Sequence, residues 1–275
     1  MKKKAQRRKR IGILGCGTIG TETAVAIVTV FQDYAELVAV CYTNTEAVDK
    51  LNAQLHRPVP SVSLDALCRK SDLVIEAASA AAVGQLIALA IDAGCDLLIM
   101  SVGGVLDREE DLIRLAKAGR HIYIPSGAVG GIDVLKAAMM SDVQDVQITT
   151  RKPVEGLRGA PYIEEKNICL EDIREETVIF EGKAREAIQA FPKNVNVAAA
   201  ISLAGIGPDR TRVRIVVCPD RQVNAHEITI RGRFGSFHCL AENDPSPTNP
   251  KTSYLAALSC MATLKKVLEG MEIGT

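Results

Sequence analysis

Three consecutive segments near the start of the chain decide the fold: Ile11–Leu14 (IGIL), Gly15–Gly20 (GCGTIG) and Thr21–Phe31 (TETAVAIVTVF). The first predicts a short buried strand and the last predicts a helix. A G-x-G-x-x-G motif between a strand and a helix is typical of a dinucleotide-binding turn. Its glycines allow a tight turn, close approach of a pyrophosphate and close helix–strand packing, while the helix start attracts the phosphate charge. A glycine-rich turn without a ligand is the alternative. The predicted cofactor contacts are Gly15, Gly17, Thr18, Ile19 and Gly20.

Strands and helices continue to alternate as far as Pro125. Further strands are predicted at 36–42, 72–78, 96–101 and 121–125, with helical segments between them. This alternation indicates an α/β fold with a Rossmann-type, doubly wound parallel sheet. Ligands of such sheets lie outside the carboxyl ends of the strands, so cofactor contacts are expected at Ala77, Ala78 and Ser79. Capping of the next helix is the alternative role for Ser79.

The end of the second predicted strand bears on the choice between NAD and NADP. A site that prefers NAD usually has a carboxylate here to hold the ribose hydroxyls. This chain has Tyr42, Thr43 and Asn44 instead, and no arginine stands beside them to bind a 2′-phosphate. We therefore expect Thr43 and Asn44 to bind the ribose, with weak discrimination between the two cofactors and nothing to repel the extra phosphate of NADP.

The pattern changes after Pro125. Strands are predicted at 146–152, 177–181, 212–218, 225–231 and 235–241, with helices at 132–140, 184–191 and 196–204. Such runs of strands indicate a second, α+β domain with a mixed or antiparallel sheet, whose open face would form a homodimer interface. A long apolar helix, 252–268, is expected to pack back on the first domain. The predicted division is a basic tail at 1–10, a dinucleotide domain at 11–125 and 250–275, and a substrate and dimerisation domain at 126–249.

One of the four histidines, His226, stands out as a candidate for proton transfer. Alternation places it on one strand face with Ile228 and Ile230, while Glu227 and Thr229 face the other way. Such a histidine is usually a hydrogen-bonded core residue. An imidazole is nevertheless the commonest proton shuttle near neutral pH, and spacing alone leaves both roles open.

The segment 242–253 is rich in polar residues and proline. Its three prolines stiffen a loop, and Asn249 or Thr252 can cap the helix that follows. Lys251, Thr252 and Ser253 then meet at a helix N-terminus, which favours binding of a carboxylate. A plain linker with a helix cap is the alternative.

Composition and charge restrict the class of protein. The 275 residues have no net charge, but seven of the first ten are basic, which leaves the remainder at −7. The overall balance argues against nucleic acid as the main partner. The tail is expected to be a solvated extension, with a nucleic-acid or membrane-surface arm as the alternative.

The sequence also bears on targeting and on the compartment. Glycines in 11–20 argue against a signal peptide, and we expect no membrane span because the sequence contains no run of 18 apolar residues. Eight cysteines without a C-x-x-C pair indicate reduced thiols in the cytoplasm and no metal site.

Several motifs together resemble the L-aspartate dehydrogenase family over almost the whole chain after the tail. They are Gly15–Gly20, Pro125–Gly131 (PSGAVGG), Phe191–Ala198 (FPKNVNVA), Asn224–Ile228 (NAHEI) and Asn249–Ser253 (NPKTS). The first is common to many dehydrogenases, whereas the last three in this order are far more specific.

The resemblance implies a two-domain enzyme that oxidises L-aspartate with NAD or NADP. The product iminoaspartate can hydrolyse to oxaloacetate and ammonia or feed NAD biosynthesis. The resemblance assigns the catalytic histidine to His226 and further cofactor contacts to Ala128 and Asn196. For the substrate carboxylates, we expect contacts from Ser126, Lys251, Thr252 and Ser253, as an inference of our own from their positions.

Other functions compete with this interpretation. Dihydrodipicolinate reductases and homoserine dehydrogenases share the two-domain plan, but the surroundings of His226 resemble theirs less. An aldehyde dehydrogenase would need a cysteine nucleophile with a lowered pKa, and neither Cys169 nor Cys218 has an obvious activating neighbour. A non-catalytic NAD(P)-binding sensor would bind the cofactor without turnover.

Overall fold

The computed structural model of the protein describes residues 7–192, 196–270 and 273–274, with the side chains of 250 and 251 left out. The chain forms two compact units. The first runs to Pro125 and resumes at Ala257, and the second consists of Ser126–Ala256 and the residues from Ile273. The sequence placed the second boundary between 249 and 250, a few residues earlier.

The first unit contains a five-stranded parallel sheet in the order β2-β1-β3-β4-β5. Its strands are β1 (Lys9–Leu14), β2 (Ala35–Cys41), β3 (Leu73–Glu76), β4 (Asp96–Ile99) and β5 (Ile122–Tyr123). Its helices are α1 (Thr18–Thr29), α2 (Thr45–Asn52), α3 (Leu64–Lys70), α4 (Ala80–Ala93) and α5 (Glu109–Lys117). The order in which successive strands are added to the sheet reverses at β1, because β2 lies on one side of β1 and β3 lies on the other. The predicted Rossmann-type sheet is confirmed.

Apolar side chains cover both faces of this sheet. Ile11, Ile13 and Ile75 belong to one buried cluster, and Leu14 and Val74 belong to another. Neighbouring residues of a strand point to opposite faces, so two clusters on one set of strands mean that both faces are buried. Burial of both faces explains why the strands of this sheet are near-continuous apolar runs in the sequence.

The second unit contains a mixed five-stranded sheet in the order β10-β9-β6-β8-β7, in which β6 and β8 are parallel and the other neighbours antiparallel. Its strands are β6 (Val143–Lys152), β7 (Thr177–Lys183), β8 (Arg212–Val217), β9 (Asn224–Gly232) and β10 (Gly235–Asn243), followed by the short pair β11 (Pro245–Ser246) and β12 (Asn249–Ser253). The helices are α6 (Ile132–Ala138), α7 (Pro161–Glu165), α8 (Ala184–Ala190) and α9 (Asn196–Ala204). The predicted α+β domain with a mixed sheet is confirmed.

The two faces of the second sheet differ in character. Val146, Ile148, Ile228 and Ile230 lie on one face, in a buried cluster that also contains Leu135, Ala184, Ala187 and Ile201 from three helices. The opposite face carries ion pairs, such as Arg151 with Glu227 at 2.6 Å. In the described part of the chain, the helices of this cluster therefore cover one side of the sheet, as alternation in its strands predicts.

Two segments differ from their predicted structure. β1 begins at Lys9, inside the predicted tail, because Arg10 pairs with Asp72 at 2.8 Å and Lys9 pairs with Asp96 at 3.3 Å. Met1–Gln6 lie outside the described residues. Asn249–Ser253 form a strand rather than a capping loop, since Pro250 favours an extended backbone at the residue before it. The last helix, α10 (Tyr254–Glu269), therefore begins two residues later than predicted.

In the part of the chain that the structure describes, no helix combines the length and the apolar character needed to span a bilayer.

Candidate active site

The turn between β1 and α1 depends on two glycines for its shape. Gly15 has a φ of +99°, and a methyl group on it would lie 2.6 Å from the carbonyl oxygen of Ala77. A methyl group on Gly20 would overlap the carbonyl oxygen of Gly15. Gly15 therefore allows the turn and its approach to the end of β3, and Gly20 allows α1 to pack against the turn. These are the roles predicted for the first and third glycines of the motif.

The middle glycine faces open space. A methyl group on Gly17 would have no atom within 4 Å, and the backbone of Gly17 has ordinary extended angles. Gly17 is the N-cap residue of α1, and the first turn of this helix carries no acidic residue. The start of α1 therefore carries no negative side chain, and the space beside Gly17 stays open because this residue has no side chain. Both features suit the pyrophosphate of a dinucleotide. Gly17, Thr18, Ile19 and Gly20 would hold it there.

A buried carboxylate, Glu76, joins the two loops that follow β3 and β4. It is completely buried at the end of β3. Its Oε1 accepts hydrogen bonds from the Ala78 N–H at 2.8 Å and the Ser101 hydroxyl at 2.9 Å, and its Oε2 accepts one from the Ser101 N–H at 2.8 Å. Burial raises the pKa of Glu76, while these donors act in the opposite direction. Glu76 thus fixes the backbone at predicted cofactor contacts, a role that the sequence analysis missed.

Ser79 precedes α4 but makes no side-chain cap on that helix. The capping alternative for Ser79 is therefore wrong. Ser101 donates its hydroxyl to Glu76 and makes no side-chain cap either. Since the adenosine end of a dinucleotide lies toward β2 and its pyrophosphate at the first turn, the nicotinamide half extends toward the loops after β3 and β4. Ala77, Ala78 and Ser79 stay predicted contacts for that half.

Replacement of Glu76 by glutamine is expected to weaken both stability and cofactor binding. The new NH₂ group would face an N–H or O–H donor, and each buried donor left without an acceptor costs about 1–3 kcal/mol. Thermal unfolding of the protein without cofactor and calorimetric titration with NAD would measure the two effects. Glu46→Gln serves as the control, because Glu46 is exposed and pairs with Lys50 at the helix surface. Unchanged NAD affinity in Glu76→Gln would contradict the positioning role.

Thr43 and Asn44 are the predicted contacts for the ribose. Both are exposed after β2, and the Asn44 side chain caps α2 by accepting a hydrogen bond from the Ala47 N–H at 3.2 Å. The cap engages the Oδ1 of Asn44 and leaves its NH₂ group as a donor. The first acidic residue beyond them, Glu46, pairs with Lys50. The expectation of weak discrimination between NAD and NADP stays a prediction.

His226 lies at the polar end of the covered face of the second sheet. It is 4% exposed, and its Nδ1 lies 3.0 Å from the Thr150 hydroxyl oxygen on the neighbouring strand β6. Thr150 and His226 are directly paired in the register of the two strands. With Nδ1 engaged by Thr150, Nε2 is the ring nitrogen available for proton exchange. Thr150 thus selects the orientation of the ring.

A buried lysine lies beside this histidine. Lys152 follows Thr150 by two residues on β6, so the two share a face, and Lys152 is 8% exposed. Burial lowers the pKa of Lys152 to about 8. Burial and, to a smaller extent, the charge of Lys152 lower the pKa of His226 to about 3. The imidazole is therefore neutral at physiological pH and able to accept a proton. The sequence analysis did not select Lys152.

Two asparagines link His226 to other predicted site residues. Asn243 on β10 pairs in register with Asn224 on β9, two positions from His226. The Asn243 NH₂ donates to the Ala128 carbonyl at 2.9 Å, and the Asn224 NH₂ donates to the Ser253 hydroxyl at 3.4 Å. Ala128 and Ser253 are far apart in sequence, yet both reach this end of the sheet.

For the remaining predicted site residues, the structure gives mainly their position in the fold. Ser126 begins the loop that carries Ala128, and Gly131 lets this loop approach Phe237 on β10. Thr252 lies in β12 rather than at a helix start, because the strand extends through Ser253. The side chain of Lys251 lies outside the described part of the structure. Asn196 is exposed as the first residue of α9, and residues 193–195 before it are not described.

Comparison with known proteins agrees with the two-unit arrangement. Residues 15–125 match the family model described as "Homoserine dehydrogenase, NAD binding domain", and residues 133–267 match "Aspartate dehydrogenase, C-terminal". The L-aspartate dehydrogenase of Methanosarcina acetivorans is 49% identical over 97% of this chain and 99% of its own length. That of Bradyrhizobium diazoefficiens is 39% identical over 98% of this chain and 96% of its own length.

Solved structures give the same result. Aspartate dehydrogenase from Thermotoga maritima has a TM-score of 0.74 at 25% identity and covers 98% of this chain and 100% of its own. A homoserine dehydrogenase from Thiobacillus denitrificans has a TM-score of 0.63 at 12% identity, which shows a shared fold alone. The full-length similarity, which includes the strand that carries His226, shows that this chain belongs to the L-aspartate dehydrogenase family.

Proposed function

We propose that the protein oxidises L-aspartate to iminoaspartate with NAD or NADP as the hydride acceptor. The observation that carries this function is the 49% identity to an L-aspartate dehydrogenase over 97% of the chain. Hydrolysis of the imine then gives oxaloacetate and ammonia. Release of the imine before hydrolysis would supply NAD biosynthesis, which is the second fate that we propose for it.

The cofactor, when bound, accepts the hydride from the α-carbon of the substrate. The first unit would hold its pyrophosphate on the Gly15–Gly20 turn and its nicotinamide half along the loops that Glu76 fixes. The task of these residues is to bind and orient, which converts hydride transfer into a step between positioned groups.

His226 would move the proton. The ammonium group of the substrate must lose a proton before the imine forms, and a neutral imidazole can accept it at Nε2. Thr150, on Nδ1, holds the ring for that exchange. The protonated ring can return the proton, and the neutral ring can activate the water that attacks the imine carbon. Ser126, Lys251, Thr252 and Ser253 are the proposed contacts for the substrate.

Turnover of L-aspartate tests this function directly. Purified protein with L-aspartate and either NAD or NADP is expected to produce the absorbance of the reduced nicotinamide, whereas D-aspartate and L-homoserine are not. Turnover of L-homoserine instead would support the homoserine dehydrogenase alternative. Cofactor binding without turnover of any of the three would support a sensor.

We also propose a homodimer in the cytoplasm. The open face of the second sheet exposes apolar side chains, with Leu240 50% and Val178 43% exposed, as a subunit interface often requires. All eight cysteines are free thiols, which agrees with a reducing compartment. Light scattering coupled to gel filtration would measure the mass, and Leu240→Glu is expected to shift a dimer toward monomer.

A further inference from the structure

The side chain of Lys152 is 8% exposed, and its ammonium group has no anion beside it among the described residues. Lys152 ends β6 on the covered face of the sheet, and its methylene stem passes beside Gly156: a methyl group on this glycine would lie 3.6 Å from Lys152 Cβ and 3.7 Å from Cδ. Among the described residues, no carboxylate forms an ion pair with Lys152. Removing a cation from water without a partner is costly, so a lysine held in this way points to an anion that binds there.

The neighbouring residue on the same strand shows the contrast. Arg151 points to the opposite face, where its guanidinium pairs with Glu176 at 2.8 Å and Glu227 at 2.6 Å. The open face therefore supplies two carboxylates to its cation, while no described carboxylate on the covered face pairs with Lys152. Shortage of acidic residues in this part of the chain does not explain the unpaired ammonium.

An unpaired hydrogen-bond acceptor lies at the same end of the sheet. Asn243 is 2% exposed, and its Oδ1 has no hydrogen-bond partner among the described residues. The orientation of the amide is settled, because the Ala128 carbonyl can only accept and so requires the NH₂ group of Asn243. Buried polar groups are nearly always satisfied, so this oxygen also lacks a ligand. The ammonium group of Lys152 can bind a carboxylate of an amino acid, and the free Oδ1 of Asn243 can accept a hydrogen bond from the amino acid's ammonium group.

We propose that Lys152 binds one of the two carboxylates of L-aspartate and thereby holds the substrate amino group beside His226, with the Oδ1 of Asn243 as an acceptor for that amino group. This inference rests on the proposed function and adds the residue that recognises the substrate charge. It has a consequence for the base. Burial is the main cause of the low pKa of His226 and the charge of Lys152 is the smaller one, so a carboxylate bound to Lys152 would offset only the smaller cause.

Three variants test the role of Lys152. Lys152→Met removes the charge but keeps the length, Lys152→Arg keeps a charge that cannot be lost, and Arg151→Met is the control on the other face. The measurements are KM and kcat for L-aspartate, calorimetric titration with succinate in the presence of NAD, the affinity for NAD alone, and the melting temperature. Succinate is a dicarboxylate without an amino group, so it reports the carboxylate site alone.

In Lys152→Met, we expect the KM for L-aspartate and the dissociation constant of succinate to rise about tenfold to a hundredfold, as for a lost charge-assisted hydrogen bond. Affinity for NAD is expected to be unchanged, and the melting temperature is expected not to fall, because the variant removes a partly desolvated charge that has no ion-pair partner among the described residues. Lys152→Arg is expected to recover much of the succinate affinity. Arg151→Met is expected to bind succinate like the wild-type protein.

Two results would overturn the proposal. Unchanged succinate binding in Lys152→Met is the first. The second is loss of kcat at constant KM in both Lys152→Met and Lys152→Arg, which indicates proton transfer by Lys152. If Lys152→Met does not fold, Lys152→Gln replaces it with the same criteria. If the wild-type protein binds succinate through Lys152 but does not oxidise L-aspartate, the proposed function is refuted and the carboxylate site is retained. If the protein oxidises L-aspartate and the Lys152 variants bind succinate and L-aspartate like the wild type, this inference alone is refuted.

Discussion

Alanine at position 226 is expected to lower kcat for L-aspartate by about 10²–10⁴-fold, the usual contribution of a positioned acid–base group. Nε2 of His226 is the ring nitrogen that would take up the ammonium proton, and Thr150 on Nδ1 orients the ring. Steady-state kinetics with saturating cofactor would measure the loss. Affinity for NAD is expected to stay at the wild-type value, since the dinucleotide turn belongs to the first unit.

A matched control exists on the open face of the same sheet. His238 is exposed, and its Nε2 lies 2.8 Å from the Glu227 carboxylate. His238→Ala removes an imidazole of the same size from the same unit and is expected to leave kcat nearly unchanged. Turnover of His226→Ala at a rate close to that of His238→Ala would exclude His226 as the proton carrier.

Substitution of single glycines in the dinucleotide turn is expected to separate ligand binding from folding. Gly17→Ala adds a methyl group in open space, so the melting temperature without cofactor should stay constant. The same methyl group occupies the side from which the pyrophosphate approaches, and affinity for NAD and NADP is expected to fall by about tenfold or more, as for other overpacked contacts.

Gly20→Ala is expected to behave differently, because its methyl group would overlap the carbonyl oxygen of Gly15. The turn must shift to relieve this contact, at a cost of about 1–3 kcal/mol in the free energy of unfolding. Thermal unfolding without cofactor and titration with NAD would distinguish the two variants. Wild-type NAD affinity in Gly17→Ala would show that the pyrophosphate does not lie against this glycine.

The fold could be predicted largely because its signals are local. The glycine motif, the apolar runs and the change of pattern after Pro125 lie within short stretches, and they predicted both sheets. Alternation along β9 placed His226 with Ile228 on one face, and both are buried there. The strand Asn249–Ser253 was missed because prolines 247 and 250 indicate a loop at least as strongly as a short strand.

Part of the site could not be predicted, because its members meet only in the folded chain. Lys152 ends a predicted strand, but His226 beside it and Asn243 at the same end of the sheet come from strands more than 70 residues away in the chain. No local pattern distinguishes such a lysine from a solvated strand end. Glu76 offered a weak signal, as the one charge within the apolar run Leu73–Ala78, since a carboxylate in a buried strand needs a structural or functional partner.

The discontinuity of the first unit affects the order in which the protein can assemble during synthesis. Cys260, Leu264 and Leu268 from α10 complete an apolar cluster whose other members, such as Ile11 and Ile27, are made first. Most of the second unit, Ser126–Ala256, is one continuous segment that precedes the greater part of α10 in the chain. The dinucleotide domain, although most of it is translated first, therefore lacks part of its apolar cluster until α10 has been made, and an incomplete cluster of this kind exposes surface that can aggregate.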